Sequence, residues 1–237
     1  MSYLKKIIKS LKVVFITTFL SYFITLIAGI IYYQLGYQDI DKFINTCAPY
    51  VILIYSLLTI IFLLKKYPRK EPTIKKKQYF PLIALGISLA ITLNMIIFKI
   101  IPPTSTTTNI PLILSIITSG LIGPIYEEVI FRYVFLNKLK TFNSPKVAIL
   151  INSIIFALIH LTLIKMIYAF ILGIILNLSY HKTSNILAPI LIHISANIIV
   201  LFLHEYNTYI FLLSIISLLL SIKINYLKKG AVEKLNN

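Results

Sequence analysis

The chain has 237 residues, of which 58% are hydrophobic and 13% charged, and its mean hydropathy of +0.90 excludes a water-soluble domain. The net charge of +16 would suggest nucleic acid in a soluble chain. Here the basic residues sit in short links between apolar stretches, where they set membrane topology instead, and no nucleic-acid partner is expected. A single cysteine, Cys47, excludes an internal disulfide and any multi-cysteine metal site.

In chain order, uncharged stretches run over 13–38, 43–64, 78–98, 100–126, 147–164, 166–181, 183–204 and 206–222. Most are near the roughly 20 residues that a spanning helix needs. The two shortest, 166–181 and 206–222, are marginal and must be tilted, re-entrant or completed by a snorkelling lysine. The runs are continuous rather than alternating, and an open sheet edge does not survive in hydrocarbon, so the fold class is all-α. The expectation is a polytopic transmembrane helix bundle of about eight spans, forming one domain over 1–237. The first stretch is too long for a typical signal-peptide core and reads as a retained anchor.

Charge orients the bundle. Lys5, Lys6, Lys9 and Lys12 precede the first stretch, and a basic loop at 65–77 follows the second. Lys138, Lys140 and Lys146 follow the fourth, Lys182 the sixth, and Lys223, Lys228, Lys229 and Lys234 the eighth. The alternate links carry little beyond Asp39, Asp41, Lys42, Lys99, Lys165 and Glu205. By the positive-inside rule both termini are expected in the cytoplasm, with the protein integral to a membrane and lipid as a partner.

Residues 120–205 hold the two intramembrane glutamates and all four histidines. Glu127 and Glu128 lie among Leu121, Ile122, Ile125, Val129, Ile130 and Phe131, where an ionised carboxylate is costly and usually functional. Arg132 follows Glu128 at helical i+4 spacing, so that pair can neutralise itself and leave Glu127 as a second carboxylate pointing about 100° away. The bland reading of the trio is a buried salt bridge that fixes packing. Gly120, Gly123 and Pro124 just upstream are able to kink the helix and leave room beside Glu127. His160 lies four residues after Phe156 and can share a proton with a carboxylate near neutral pH, although a lone intramembrane histidine is commonly a packing residue. His193 and Asn197 project from one helical face, as two N–H donors suited to a developing oxyanion or as an interhelical hydrogen-bond pair.

Other patterns fail. His204-Glu205 opens like a zinc-protease helix, but Thr208 stands where the second histidine belongs. The only aspartates, Asp39 and Asp41, are in a link, which disfavours an aspartyl intramembrane site. Ile117 occupies the first glycine position of a Gly-x-Ser-Gly pattern around Ser119, and His181 beside Lys182 reads as interfacial.

Three segments together, Glu127-Glu128-x-x-x-Arg132, Phe156-x-x-x-His160 and His193-x-x-x-Asn197, resemble the motif set of the CPBP family of intramembrane proteases. That family includes type II CAAX prenyl endopeptidases and bacteriocin-processing or self-immunity proteins. The resemblance is anchored on residues 120–200, within a motif region placed at 111–205. It implies Glu127 as the catalytic glutamate, His160 as its partner in activating water, and His193 with Asn197 as the oxyanion donors. Glu128 and Arg132 are then supporting residues that orient the helix and tune the charge on Glu127. No cofactor is expected; the alternative is Zn²⁺ held by Glu127, His160 and His193.

One geometric conflict stands against a shared site. A fourth span starting at Pro111 and a fifth starting at Lys146 from the opposite side put Glu127 and His160 about 15 Å apart in depth, in a core of roughly 30 Å. The site then requires a fifth helix that ends inside the membrane, with 161–165 as a sunken turn. The rival functions are a non-catalytic immunity or binding protein and, less favoured, a small transporter using Glu127 and His160 as a relay.

Overall fold

The computed structural model describes residues 2–101 and 110–227, which form helices with no strand among them. Eight helical segments follow one another: α1 Tyr3–Gln34, α2 Ile40–Lys66, α3 Lys76–Ile100, α4 Leu112–Leu139, α5 Pro145–Leu158, α6 Leu163–Thr183, α7 Leu187–Val200 and α8 Thr208–Tyr226. Six are long and apolar enough to cross a membrane, whereas α5 and α7 have 14 residues each. At 1.5 Å per residue each of these spans about 21 Å, less than the hydrocarbon core.

The count of eight apolar segments therefore holds; six of them are candidate spans by length and composition among the described residues, and the short helices are not the expected ones. The stretches 166–181 and 206–222 belong to α6 and α8, which draw extra length from flanking charged or polar residues such as Lys165 and Lys223. Two boundaries also move. The stretch 100–126, part of which lies outside the described residues, does not end at its glutamates: α4 runs through them to Leu139. The helix expected to reach 164 stops at Leu158, because Leu161 turns into the left-handed region at φ 59°.

Helix α4 is the centre of the bundle and packs against α1, α2, α5, α6 and α7. All eight residues from Val129 to Leu136 are buried, as expected of a helix surrounded by protein. Gly123 and Pro124 do not break it. Its turns widen to π geometry over Ile116–Ile122 and Val129–Leu136, on either side of an α segment carrying both glutamates. A proline without an N–H favours such local rewinding, and π turns often mark functional positions. Tyr126 and Tyr55 both donate their hydroxyls to the Thr17 carbonyl, tying α4 and α2 to α1.

The remaining helices pair off as α5 with α6, and α3 with α7 and α8. Asn177 donates to Ser153 Oγ at 2.9 Å, and a Cβ on Gly173 would press on Phe156, so α5 and α6 form a close hairpin. The crossing of α3 with α7 is closer still: a Cβ on Gly86 would collide with Ser195 Oγ and the Ile192 carbonyl. Small residues at such crossings let backbones approach where no hydrophobic drive exists between helices. Because backbone cannot swing aside, Gly86→Ala is expected to lower stability by about 3 kcal/mol, read from the unfolding midpoint in detergent.

Helix ends carrying the basic residues meet on one face. Tyr3 donates to Asn143 at 2.8 Å and Lys138 to the Tyr67 hydroxyl at 3.3 Å. Glu71, in the 65–77 loop, accepts from Tyr180 at 3.1 Å and from the Ile186 backbone N–H at 2.7 Å. Asn225 donates to the Pro81 carbonyl and accepts from Lys182. These contacts gather the first ends of α1, α3, α5 and α7 with the last ends of α2, α4, α6 and α8. Burial and then the nearby Arg69 pull the Lys140 ammonium on this face down to about 8. Lys228, Lys229 and Lys234 lie outside the described residues.

Candidate active site

Glu127, His160, His193 and Asn197 line one cavity of about 440 Å³, together with Asn94 and Ser119 among others. The depth conflict disappears with the revised helix ends. Measured along their helices from the basic face, Glu127 lies 12 residues from Leu139 and His160 15 residues from Pro145, about 18 Å and about 22 Å. The expected turn is present but earlier, over 159–162. Lys165, expected in a link, is in the first turn of α6 and lines the cavity.

The neighbouring glutamates occupy different environments, as their angular separation on the helix predicts. The Glu127 side chain is 28% exposed and the Glu128 side chain 0%. Glu128 Oε1 takes a hydrogen bond from Arg132 Nη1 at 2.8 Å, and the Arg132 side chain is fully buried as well. The guanidinium sits 4.3 Å from the centre of the Phe156 ring, a cation–π contact that gives this buried charge a second partner. Glu128 Oε2 and Arg132 Nε and Nη2 have no hydrogen-bond partner among the described residues.

His193 stands between the two carboxylates. Its Nδ1 is 2.8 Å from Glu128 Oε1, and its Nε2 is 3.8 Å from Glu127 Oε2. An ionised carboxylate only accepts, so Nδ1 carries a proton and donates it to Glu128. A neutral ring then has a lone pair at Nε2. In that tautomer Nε2 is not a donor; a donor there requires the imidazolium. With Arg132 positive, a protonated His193 brings the four groups to zero net charge.

His160 is oriented from behind. Its Nδ1 lies 2.8 Å from the Phe156 carbonyl, which only accepts, so the ring donates there and Nε2 remains an acceptor. That carbonyl belongs to the last turn of α5, where backbone oxygens lack helical partners. The early helix end thus creates the acceptor that sets the histidine tautomer. Phe156 also touches the rings of His160 and His193, with centroids 5.1 and 6.0 Å apart.

Asn197 donates one amide N–H to the Ser119 carbonyl at 3.0 Å and keeps its second, facing the cavity shared with His193. Ser119 lies in the first π segment of α4, where backbone oxygens are displaced from the regular ladder. Ser119 has a structural part here, although no serine-protease pattern surrounds it. Asn94 was missed by sequence reasoning, and its signal is plain: an amide in the interior of the uncharged stretch 78–98. Glu71 was missed too, as the only acid in the basic 65–77 loop. The decoy His181 lies at the basic face, its Nδ1 3.4 Å from Lys140 Nζ.

Glu127, His160 and His193 are the residues that would hold a zinc ion. Among the described residues no group of three His, Cys, Asp or Glu side chains is gathered closely enough to hold a metal ion. His193 Nδ1 is already committed to Glu128, and its Nε2 faces Glu127 across 3.8 Å.

Comparison with known proteins meets this geometry on the same segment. A family model described as type II CAAX prenyl endopeptidase Rce1-like matches residues 109–199. A Bacillus subtilis (strain 168) protein named "Putative membrane peptidase YdiL" is 34% identical over 84 residues. That alignment covers 35% of this chain and 34% of the relative, so the chain spans about a third of the length of the curated relative it matches. No solved structure matches the chain. The matched segment contains Glu127, Glu128, Arg132, His160, His193 and Asn197, on α4, on α7 and just past the end of α5, and over this segment the chain is similar to the Rce1-like family.

Proposed function

We propose that this protein is an intramembrane endopeptidase that hydrolyses a peptide bond of a membrane-associated peptide or protein by a metal-free, glutamate-type mechanism. The observation that carries the reading is the convergence of Glu127, His160, His193 and Asn197 on one cavity, with Glu127 accessible and its neighbour Glu128 sealed in an ion pair. The family match and the printed name of the relative support the reaction class.

In this mechanism a water sits between the Glu127 carboxylate and His160 Nε2. Glu127 takes its proton as the oxygen attacks the scissile carbonyl carbon, and His160 orients the water through the nitrogen that Phe156 leaves unprotonated. The carbonyl oxygen becomes an oxyanion, held by the second N–H of Asn197 and by Nε2–H of a protonated His193. Glu127 then delivers its proton to the leaving amine nitrogen as the C–N bond breaks. Glu128 and Arg132 hold His193 in register and balance its charge. A cavity of about 440 Å³ accommodates a few side chains of an extended peptide. Prenylated peptides and bacteriocin or pheromone precursors are all compatible with an apolar cavity inside a membrane protein.

The test is cleavage of a membrane-peptide library by the purified full chain, wild type beside Glu127→Ala, with and without a chelator. Cleavage by the wild type in both conditions, lost in the variant, is expected. Loss with the chelator would replace this mechanism by a zinc one. A folded wild type that cleaves no library member would favour the immunity or binding reading.

A further inference from the structure

A second pocket lies away from the cavity, on the basic face, between the first turns of α1 and the link from α4 to α5. It holds about 330 Å³ and is lined by Lys6, Lys9, Ser10, Lys138, Thr141 and Phe142. Three lysines thus line one concavity, and no carboxylate among the described residues lines it. The acids of the described residues are engaged or distant. Glu71 accepts from Tyr180 and Ile186, Glu127 and Glu128 face His193, Asp39 and Asp41 follow the far end of α1, about 40 Å along the helix, and Glu205 lies in the link from α7 to α8, at the opposite end of the bundle.

The ammonium groups are held by contacts that leave their charge uncancelled. Lys6 Nζ stands 5.8 Å from the centre of the Phe142 ring, and Lys138 Nζ stands 4.9 Å from the Tyr67 ring while donating to its hydroxyl. Each keeps N–H groups for another acceptor, since a lysine has three. Ser10 and Thr141 use their hydroxyl protons on the Lys6 and Lys138 carbonyls, which anchors the walls.

We propose that this pocket binds the phosphate headgroup of an anionic phospholipid, with Lys6, Lys9 and Lys138 as its ligands. The neighbouring surface selects a lipid over a soluble anion. Leu4, Ile8 and Phe15 are exposed on α1 beside the lysines, so acyl chains have apolar surface to follow while the phosphate stays at the level of the ammonium groups. Basic pockets between membrane helices bind such headgroups, each lysine adding a similar increment of attraction. Bound there, the lipid would bridge α1 to the end of α4, the helix that carries Glu127. This inference does not depend on the proposed peptidase activity.

Native mass spectrometry of the purified full chain, incubated with phosphatidylglycerol or with phosphatidylcholine of the same acyl chains, tests it. One phosphatidylglycerol retained roughly tenfold more strongly than phosphatidylcholine is expected. Lys6→Gln with Lys9→Gln is expected to remove that preference. Lys75→Gln with Lys76→Gln, which takes two charges from the exposed loop on the same face, is expected to leave it in place. Equal loss in the two variants would overturn the pocket in favour of diffuse surface charge. Displacement of the lipid by millimolar inorganic phosphate would overturn the lipid in favour of a soluble anion. Both variants remove two exposed or half-buried lysines from helix or loop, and their unfolding midpoints establish that the bundle is intact.

Discussion

Glu127→Gln is expected to leave the bundle folded and to lower peptide cleavage by about 10³-fold or more. The side chain is 28% exposed and borders a cavity, so an isosteric amide strands no buried partner and the unfolding midpoint should move little. What changes is chemistry. An amide cannot take a proton from water, and general-base assistance of this kind contributes about 10²–10⁴-fold. The amide also takes the negative charge from the group 3.8 Å from His193 Nε2, altering the oxyanion site. Both losses fall on the chemical step, so single-turnover cleavage should drop while peptide binding persists. Unchanged cleavage would remove Glu127 from the mechanism.

Arg132→Leu is expected to destabilise the protein by about 3–5 kcal/mol, because it leaves the Glu128 carboxylate buried without its cation. Both side chains are fully buried and their pair closes at 2.8 Å in the middle of α4, the helix against which α1, α2, α5, α6 and α7 pack. The cation–π contact with Phe156 disappears as well, loosening the end of α5 that orients His160. A double variant, Glu128→Leu with Arg132→Leu, should recover much of that loss, since a buried ion pair replaced by apolar groups is commonly near neutral. It should still be inactive, because His193 Nδ1 then has no acceptor. Unfolding midpoints in detergent for the two singles and the double form a cycle that measures the coupling. Recovery of activity together with stability would show that Glu128 serves packing alone.

Much of this molecule was legible as text. Continuous apolar runs too long for a soluble core dictate helices, because hydrocarbon offers the backbone no other partner. The i, i+4 spacings in Glu128–Arg132 and His193–Asn197 translate directly into shared helix faces, and the structure shows the ion pair and the common cavity accordingly. Helix ends were harder. The text marks them with charges, glycine and proline, yet α4 carries two glutamates and an arginine through its centre because surrounding helices satisfy them, and α5 ends at residues without any breaker. Leu161 adopts a left-handed conformation that no local preference supports; packing of α6 back onto α5 through Gly173 imposes it.

Sequence alone determined the solvent, the helical class and which side chains were able to do chemistry, since these depend on composition and on the fixed period of the helix. Tertiary structure alone decided that α5 and α7 stop short, which brings His160 to the depth of Glu127. It alone decided that His193 gives its Nδ1 proton to Glu128, a choice made across 65 positions of chain. Hydrogen bonds between distant segments carry no periodic signature, and the protonation pattern of a site is set by them.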